Sequence, residues 1–211
     1  MKRNWLTLLF MALLLGFIPI SSCVDQCNGP CGCYPVYENQ EFTITTFSTE
    51  TLFRADRNFL VDPNRFYFHQ TLYKAFWVSG LRELTVNVKP HFNSLFSNSA
   101  YACSPAASFS EETLKTIRLI NKKPIRVNEN EFLEIGDIIN EKFILTQNFQ
   151  MERKIVDFLS TNHRFQKNER LYLKFTSKPD SDIEIMFDIE IELDNGIVHI
   201  FNNETMKING G

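Results

Sequence analysis

Residues 183–193, IEIMFDIEIEL, alternate apolar and polar side chains with Met186 the one exception. A period of two is what a strand with one buried face requires, whereas a helix brings together residues three and four apart. The pattern sends Ile183, Ile185, Phe187, Ile189, Ile191 and Leu193 to one side and Glu184, Met186, Asp188, Glu190 and Glu192 to the other. Asp194-Asn195-Gly196 follows, three residues that tolerate positive φ, and Ile197 to Phe201 returns as the second arm of a hairpin. Met206 to Ile208 reads as a final short strand beyond a turn at Asn202-Asn203. A chain carrying this hairpin is committed to a sheet with one apolar face, and that face needs a second layer to cover it.

The rest of the chain supplies such a layer. Phe42, Ile44 and Thr46 alternate with Thr43, Thr45 and Phe47, and partner strands are expected at Leu52 to Leu60 and within Phe66 to Val78. The second of these, FYFHQTLYKAFWV, is dense in aromatic residues and reads as two strands or a bent one. Leu84, Val86 and Val88 alternate with Glu83, Thr85 and Asn87 until Pro90 ends the strand. Pro105 to Ser108 reads as loop, and Ser110 with Glu111, Glu112 and Thr113 is placed to cap one helical turn before a strand from Lys115 to Ile120. Gly136-Asp137 marks a turn that opens a brief helix. A longer helix is expected over Phe149 to Leu159, with Asn148 as N-cap and Met151, Ile155, Phe158 and Leu159 on one face. Many strands, few helices and an apolar fraction of 44% with 20 Phe predict a mainly β protein. The architecture expected is an antiparallel β-sandwich, immunoglobulin-like in outline, with one or two short helices.

The first 23 residues are of a different kind. Lys2 and Arg3 precede an apolar run from Leu6 to Ile18, which ends in Ile20-Ser21-Ser22-Cys23. This resembles a bacterial lipoprotein signal with its lipobox, an aliphatic residue three positions before a cysteine and small residues between. The resemblance implies a signal peptide over 1–22, acyl chains such as palmitate on Cys23, and a mature chain of 189 residues (211 less 22). The apolar run is short for a membrane span, which takes about 20 residues, and is broken by Gly16 and Pro19. Two or three acyl chains at about 0.8 kcal/mol per buried methylene hold a protein on a membrane without one. Only Asp25 is acidic just after Cys23. The expected location is therefore the outer membrane of the cell envelope, with the periplasmic face favoured over the cell surface.

Residues 23–40 form a Cys-rich tether, and 41–211 a single domain. With Cys23 acylated, Cys27, Cys31, Cys33 and Cys103 remain, an even count that in an exported chain points to two disulfides. Cys31 and Cys33 are too close to bridge one another without strain. The expected pattern joins Cys27 to one of them and Cys103 to the other, adding about 2–4 kcal/mol through the unfolded chain. Four thiolates on zinc is the competing reading, but the paired CxxC knuckles of a zinc site are missing.

Function is less legible. A net charge of −3 without a basic block argues against nucleic-acid partners. There is no phosphate-cradling glycine loop, HExxH or Gly-x-Ser-x-Gly elbow. His69, His91, His163 and His199 are scattered; His69 and His199 fall in strand patterns as structural residues, and His163 follows the expected helix, whose last carbonyls it would serve. The stripe Glu184, Asp188, Glu190 and Glu192 has neighbouring carboxylates about 6.6 Å apart, so Ca²⁺ or an acid–base pair would need them to lean together. A solvated sheet face is the plainer reading. Among the aromatic residues Tyr73 and Trp77 are the candidate ligand contacts, because their polar edges suit a half-exposed position.

The Cys-rich tether, the Gly136-Asp137-x-x-Asn140 turn and the terminal Asp-Asn-Gly hairpin ending in Thr205-x-x-Ile208 are similar to those of uncharacterised lipoproteins of Bacteroidota. That resemblance implies a β-sandwich and carries no catalytic residue across. The sequence thus describes a membrane-tethered envelope module, non-enzymatic, without cofactor or metal, binding a protein, glycan or lipid partner. The alternatives are a periplasmic carrier or sensor of an apolar ligand, lined from the Phe-rich segment, and a hydrolase using Asp188 or Glu190.

Overall fold

The computed structural model describes residues 41–55, 58–60, 62, 64–84 and 107–211, all within one compact unit. Cys23, Cys27, Cys31, Cys33, Cys103, His91, Val86, Val88 and Pro90 lie outside the described residues. The strands run in order β1 (Glu41–Ala55), β2 (Asn58–Leu60), β3 (Tyr67–Phe68), β4 (Leu72–Glu83), β5 (Phe109–Asn121), β6 (Ile125–Asn128) and β7 (Glu131–Leu133). After a 3₁₀ turn at Asn140–Lys142 come β8 (Phe143–Thr146) and β9 (Arg153–Lys154), then a helix of one turn and a half at Ile155–Leu159. The chain ends with β10 (Arg164–Gln166), β11 (Arg170–Phe175), β12 (Ile183–Leu193) and β13 (Val198–Asn209).

The protein is mainly β, a sandwich made from one hydrogen-bonded path, β3-β13-β12-β5-β1-β4-β11-β8-β9, folded on itself. Strand β5 turns the corner. Its first residues pair with β1 (Glu41↔Phe109, Phe42↔Ser110) and β10, and its remainder pairs antiparallel with β12 from Leu114↔Leu193 to Asn121↔Phe187. The pairings are antiparallel except for two short contacts, β1 with β5 and β13 with β3. A separate β6–β7 hairpin flanks the path.

The alternating segment does what its period demands. Ile183, Ile185, Phe187, Ile189, Ile191 and Leu193 are all buried, and Gly196 closes the hairpin at φ +83°. Opposite them lie Phe42, Phe76, Phe143, Phe165 and Phe175, each fully buried. The Phe143 ring stands 5.3 Å from both Phe175 and Phe187, joining β8, β11 and β12 across the interior. A fully buried Phe contributes about 1.5–3 kcal/mol by removal from water, so this ring system is a main source of stability. The Phe-rich segment gives Leu72, Phe76 and Val78 to the same core, and it forms two strands, β3 and β4.

Several local expectations are corrected. In β1 the alternation slips at Thr45-Thr46, where the register with β4 shifts, so Phe47 joins Phe42 and Ile44 inside while Thr46 is exposed. The bulge places an extra residue opposite Gly80, where any Cβ would fall against the Thr45 and Thr46 hydroxyls. Residues 52–60 are not one strand: β1 continues through Ala55 and folds back as β2, Phe53 pairing Leu60. Strand β4 runs on to Glu83, and Leu84 has no regular structure.

No helical turn forms at 110–113. That stretch is strand, because the Ser110 hydroxyl donates to Glu112 O and accepts from Phe165 N–H instead of capping. The expected helix over 149–159 shrinks to Ile155–Leu159, since Asn148 Oδ1 caps a turn through Gln150 and Met151 N–H and Phe149 adopts φ +62°. Asn202-Asn203 is a bulge inside one continuous strand: Asn203 sits at φ +58° and gives its N–H to Asp188 Oδ1 at 2.8 Å.

One charged pair crosses the interior. Lys74 points inward from β4, only 3% exposed, and its Nζ lies 2.7 Å from Glu204 Oε2 on β13. Thr51 accepts from the same ammonium, and Thr49 donates to Glu204 Oε1 at 2.9 Å. Burial pulls the Lys74 pKa below its ordinary value, and the Glu204 carboxylate opposes that fall.

Candidate functional site

The acidic stripe on the outer face of β12 is neutralised strand by strand. Glu192 Oε1 lies 2.7 Å from Lys115 Nζ, Glu190 Oε2 3.3 Å from Arg118 Nε, Asp188 Oδ2 3.0 Å from Lys122 Nζ and Glu184 Oε2 3.5 Å from Lys123 Nζ. All four cations come from β5 or the turn after it, and the antiparallel register Glu190↔Arg118 brings the rows together. The Lys115 bond holds the Glu192 pKa below the ordinary carboxylate value. No carboxylate leans on another, and among the described residues no group of three or more His, Cys, Asp or Glu is placed to hold a metal ion. The stripe is a cross-strand charge ladder in which Glu184, Glu190 and Glu192 are half-buried and Asp188 is buried. Its acids were visible in sequence; its cations were not, because Lys115, Arg118 and Lys122 acquire meaning only from a register set 70 residues away.

Tyr73 and Trp77 both face outward from β4, opposite in phase to Lys74, Phe76 and Val78. Their fates differ. Tyr73 is 5% exposed, with its hydroxyl donating to Gln70 O at 3.3 Å and its ring covered by Phe149 at 5.0 Å and Tyr172 at 6.3 Å. Phe149 reaches this place by its left-handed backbone, which few bulky residues adopt. Its N–H is held by Thr146 Oγ1 at 2.9 Å, its ring stacks 4.2 Å from Tyr172, and the Arg54 guanidinium caps it at 4.6 Å. Burial raises the Tyr172 pKa.

Trp77 stays half-exposed. The guanidinium of Arg170, its register partner on β11, lies 4.3 Å over the indole and is fixed by Glu50 Oε2 at 3.2 Å. Such stacking is worth about 0.5–1 kcal/mol at an exposed site. The outer face of β1, β4 and β11 is therefore a band of flat rings edged by Arg54, Glu50 and Arg170. The guanidinium groups of Arg54 and Arg170 lie over the faces of Phe149 and Trp77, so these rings are already stacked within the protein. Phe149, Tyr172, Arg170 and Glu50 escaped the sequence reading, although the alternation of Arg170, Tyr172 and Lys174 with buried Leu171 and Leu173 carried the signal.

The histidines have structural duties. His163 Nε2 meets Glu169 Oε2 at 3.2 Å between the rings of Phe158 and Phe165, so it serves the β10–β11 turn and not the helix end. Burial works against ionisation of Glu169, but bonds from His163 and from Gln166 N–H outweigh it and set its pKa below the ordinary value. His199 packs edge-on against Phe47 at 4.9 Å; burial lowers its pKa, and its Nε2 has no hydrogen-bond partner among the described residues. His69 is half-buried and likewise shifted down by burial. The nearby Glu112 accepts from Ile44 N–H at 3.1 Å, and the Ser110 hydroxyl is committed to the backbone, so these groups do not assemble a hydrolytic relay.

An open cleft of about 310 Å³ lies between β6–β7 and the 3₁₀ turn, lined by Glu131, Phe132, Asp137, Ile138, Glu141 and Lys142. Lys142 bridges Glu131 at 3.1 Å and Glu141 at 3.3 Å, and the Glu131 bond raises its pKa. Asp137, the third carboxylate of the lining, accepts from Glu134 N–H at 2.7 Å. No family model, curated protein or solved structure matches this chain.

Proposed function

We propose that this chain is a lipoprotein of the bacterial cell envelope, held by acyl chains on Cys23 at the outer membrane with its sandwich facing the periplasm. In this reading the sandwich is a non-enzymatic binding or assembly module. The observation that carries it is the leader: two cations, the apolar run Leu6 to Ile18, then Ile20-Ser21-Ser22-Cys23. The similarity to lipoproteins of Bacteroidota belongs to the same proposal and rests on the sequence motifs alone.

The face suited to partner contact is the band of Trp77, Arg170 and Glu50. Expression in a bacterial host fed an alkyne fatty acid tests the anchor. The mature chain should begin at Cys23 and carry label, and Cys23→Ala should abolish both. An intact leader, or a free thiol on Cys23, overturns the proposal. Activity in a broad hydrolase screen that vanishes with Asp188→Asn or His199→Ala would overturn the non-enzymatic part alone.

A further inference from the structure

Strand β13 has two halves with different neighbours. At its C-terminal end Ile208 and Asn209 pair with Tyr67 and Phe68 of β3, so this strand already accepts an added strand on its outer side. Farther up, residues 198–203 have a ladder partner only in β12 among the described residues. The hairpin geometry fixes which backbone groups are left over. Leu193 N–H donates to Ile197 O at 3.0 Å, and the alternation of an antiparallel ladder then turns the N–H and C=O of Ile197, His199 and Phe201 toward β12. Those of Val198, Ile200 and Asn202 point away from it. This half of the strand is also open to solvent: Val198 is 48% exposed, Ile200 53% exposed and Ile197 beside them 48% exposed.

Proteins usually defend such an edge with Lys, Pro or an inward charge. Residues 197–203, Ile-Val-His-Ile-Phe-Asn-Asn, contain no Asp, Glu, Lys, Arg or Pro. The opposite end of the path is defended, since β9 is the exposed pair Arg153–Lys154. The occupant follows from charge. Around a two-fold axis each residue meets its own copy or a near neighbour, so ionised side chains on an edge repel themselves. An uncharged edge is free of that penalty.

We infer that the open half of β13 pairs antiparallel with the same strand of a second copy of this chain, centred on Ile200. In that register Ile200 stands opposite Ile200 and Val198 opposite Asn202, and the outward N–H and C=O groups bond in pairs. The Asn203 bulge ends the pairing, which keeps the joint short and reversible.

Sedimentation of the full chain in detergent tests this, with two variants at the exposed centre. The native chain should dimerise with concentration. Ile200→Lys should weaken the dimer roughly tenfold or more, because like charges then face one another across the axis. Ile200→Glu should do the same alone, while an equimolar mixture of the Lys and Glu variants should regain dimer as a heterodimer. Unchanged thermal transitions would show that both variants fold. A native chain that stays monomeric at every attainable concentration overturns the inference. So does a dimer indifferent to both substitutions, or a mixture that fails to recover.

Discussion

The Lys74–Glu204 pair makes an asymmetric prediction. Lys74 is 4% exposed in its side chain and Glu204 20% exposed, so the two charges differ in their access to water. Glu204→Gln leaves a sealed ammonium with only neutral acceptors. Breaking a buried pair this way costs about 3–5 kcal/mol, and the amide's remaining oxygen keeps the expected loss near ~3 kcal/mol. Lys74→Met leaves a carboxylate that retains the Thr49 bond and reaches solvent, for an expected loss of about 1–2 kcal/mol. The double variant should recover most of the larger loss, since it leaves no unpaired charge and the amide at 204 can still accept from Thr49.

The pH dependence has a definite sign. A lysine whose folded pKa is depressed binds fewer protons folded than unfolded between that value and its ordinary 10.5. Stability therefore rises with pH across that window. In Glu204→Gln the carboxylate that opposed the fall is gone, so the window widens and the variant's deficit should shrink as pH increases. Urea unfolding of the four chains at several pH values measures all of this; at roughly 2–4 °C per kcal/mol, thermal shifts of about 6–12 °C are expected for Glu204→Gln. Equal losses for the two single variants, or a double variant as unstable as their sum, would refute the reasoning.

Phe143→Ala should cost about 3–5 kcal/mol in urea unfolding, because it removes the ring that touches both Phe175 and Phe187. Gly80→Ala should destabilise by about 1–2 kcal/mol despite alanine's better strand entropy, and replacing Thr45 and Thr46 by Ala in the same chain should restore the loss in a thermal melt. The Glu169 pKa is depressed, so its contribution is complete above 4.5 and is lost as pH falls through the folded value; Glu169→Gln should flatten the acid limb of an unfolding profile. Asp188→Asn with Glu192→Gln should leave the fold intact, and calcium should not move the melting transition of either chain. A calcium-dependent rise confined to the native protein would show that the ladder reading is mistaken.

The parts of the fold legible in the sequence are those written in local pattern. Residues 183–196 combine an alternation interrupted only at Met186 with a turn that accepts positive φ, and the two agree on a hairpin. The failures come from contacts that no local pattern contains. At Thr45-Thr46 a one-residue slip inverts every later side chain of β1, and the facing Gly80, which leaves room for it, is invisible to a period count. The spacing of Met151, Ile155, Phe158 and Leu159 satisfies a helix, yet Phe149 takes φ +62° and closes over Tyr73 and Tyr172, and the helix begins only at Ile155. The candidate site suffered most. Tyr73 and Trp77 were found as aromatic residues on one strand, but whether each is sealed or open depends on Arg170, Tyr172 and Phe149, some 70 to 100 positions farther along.

Strand β5 belongs to both layers, pairing with β1 and β10 at its start and with β12 along the rest. A sandwich of two independent sheets can part at its seam, each half keeping its own ladders. Here the seam is bridged by a strand whose removal orphans neighbours on either side. Opening therefore has no halfway house: amide protons of Ile117 to Asn121 should exchange only through global unfolding, and a tug transmitted along the chain from Glu41 is resisted by the whole body at once.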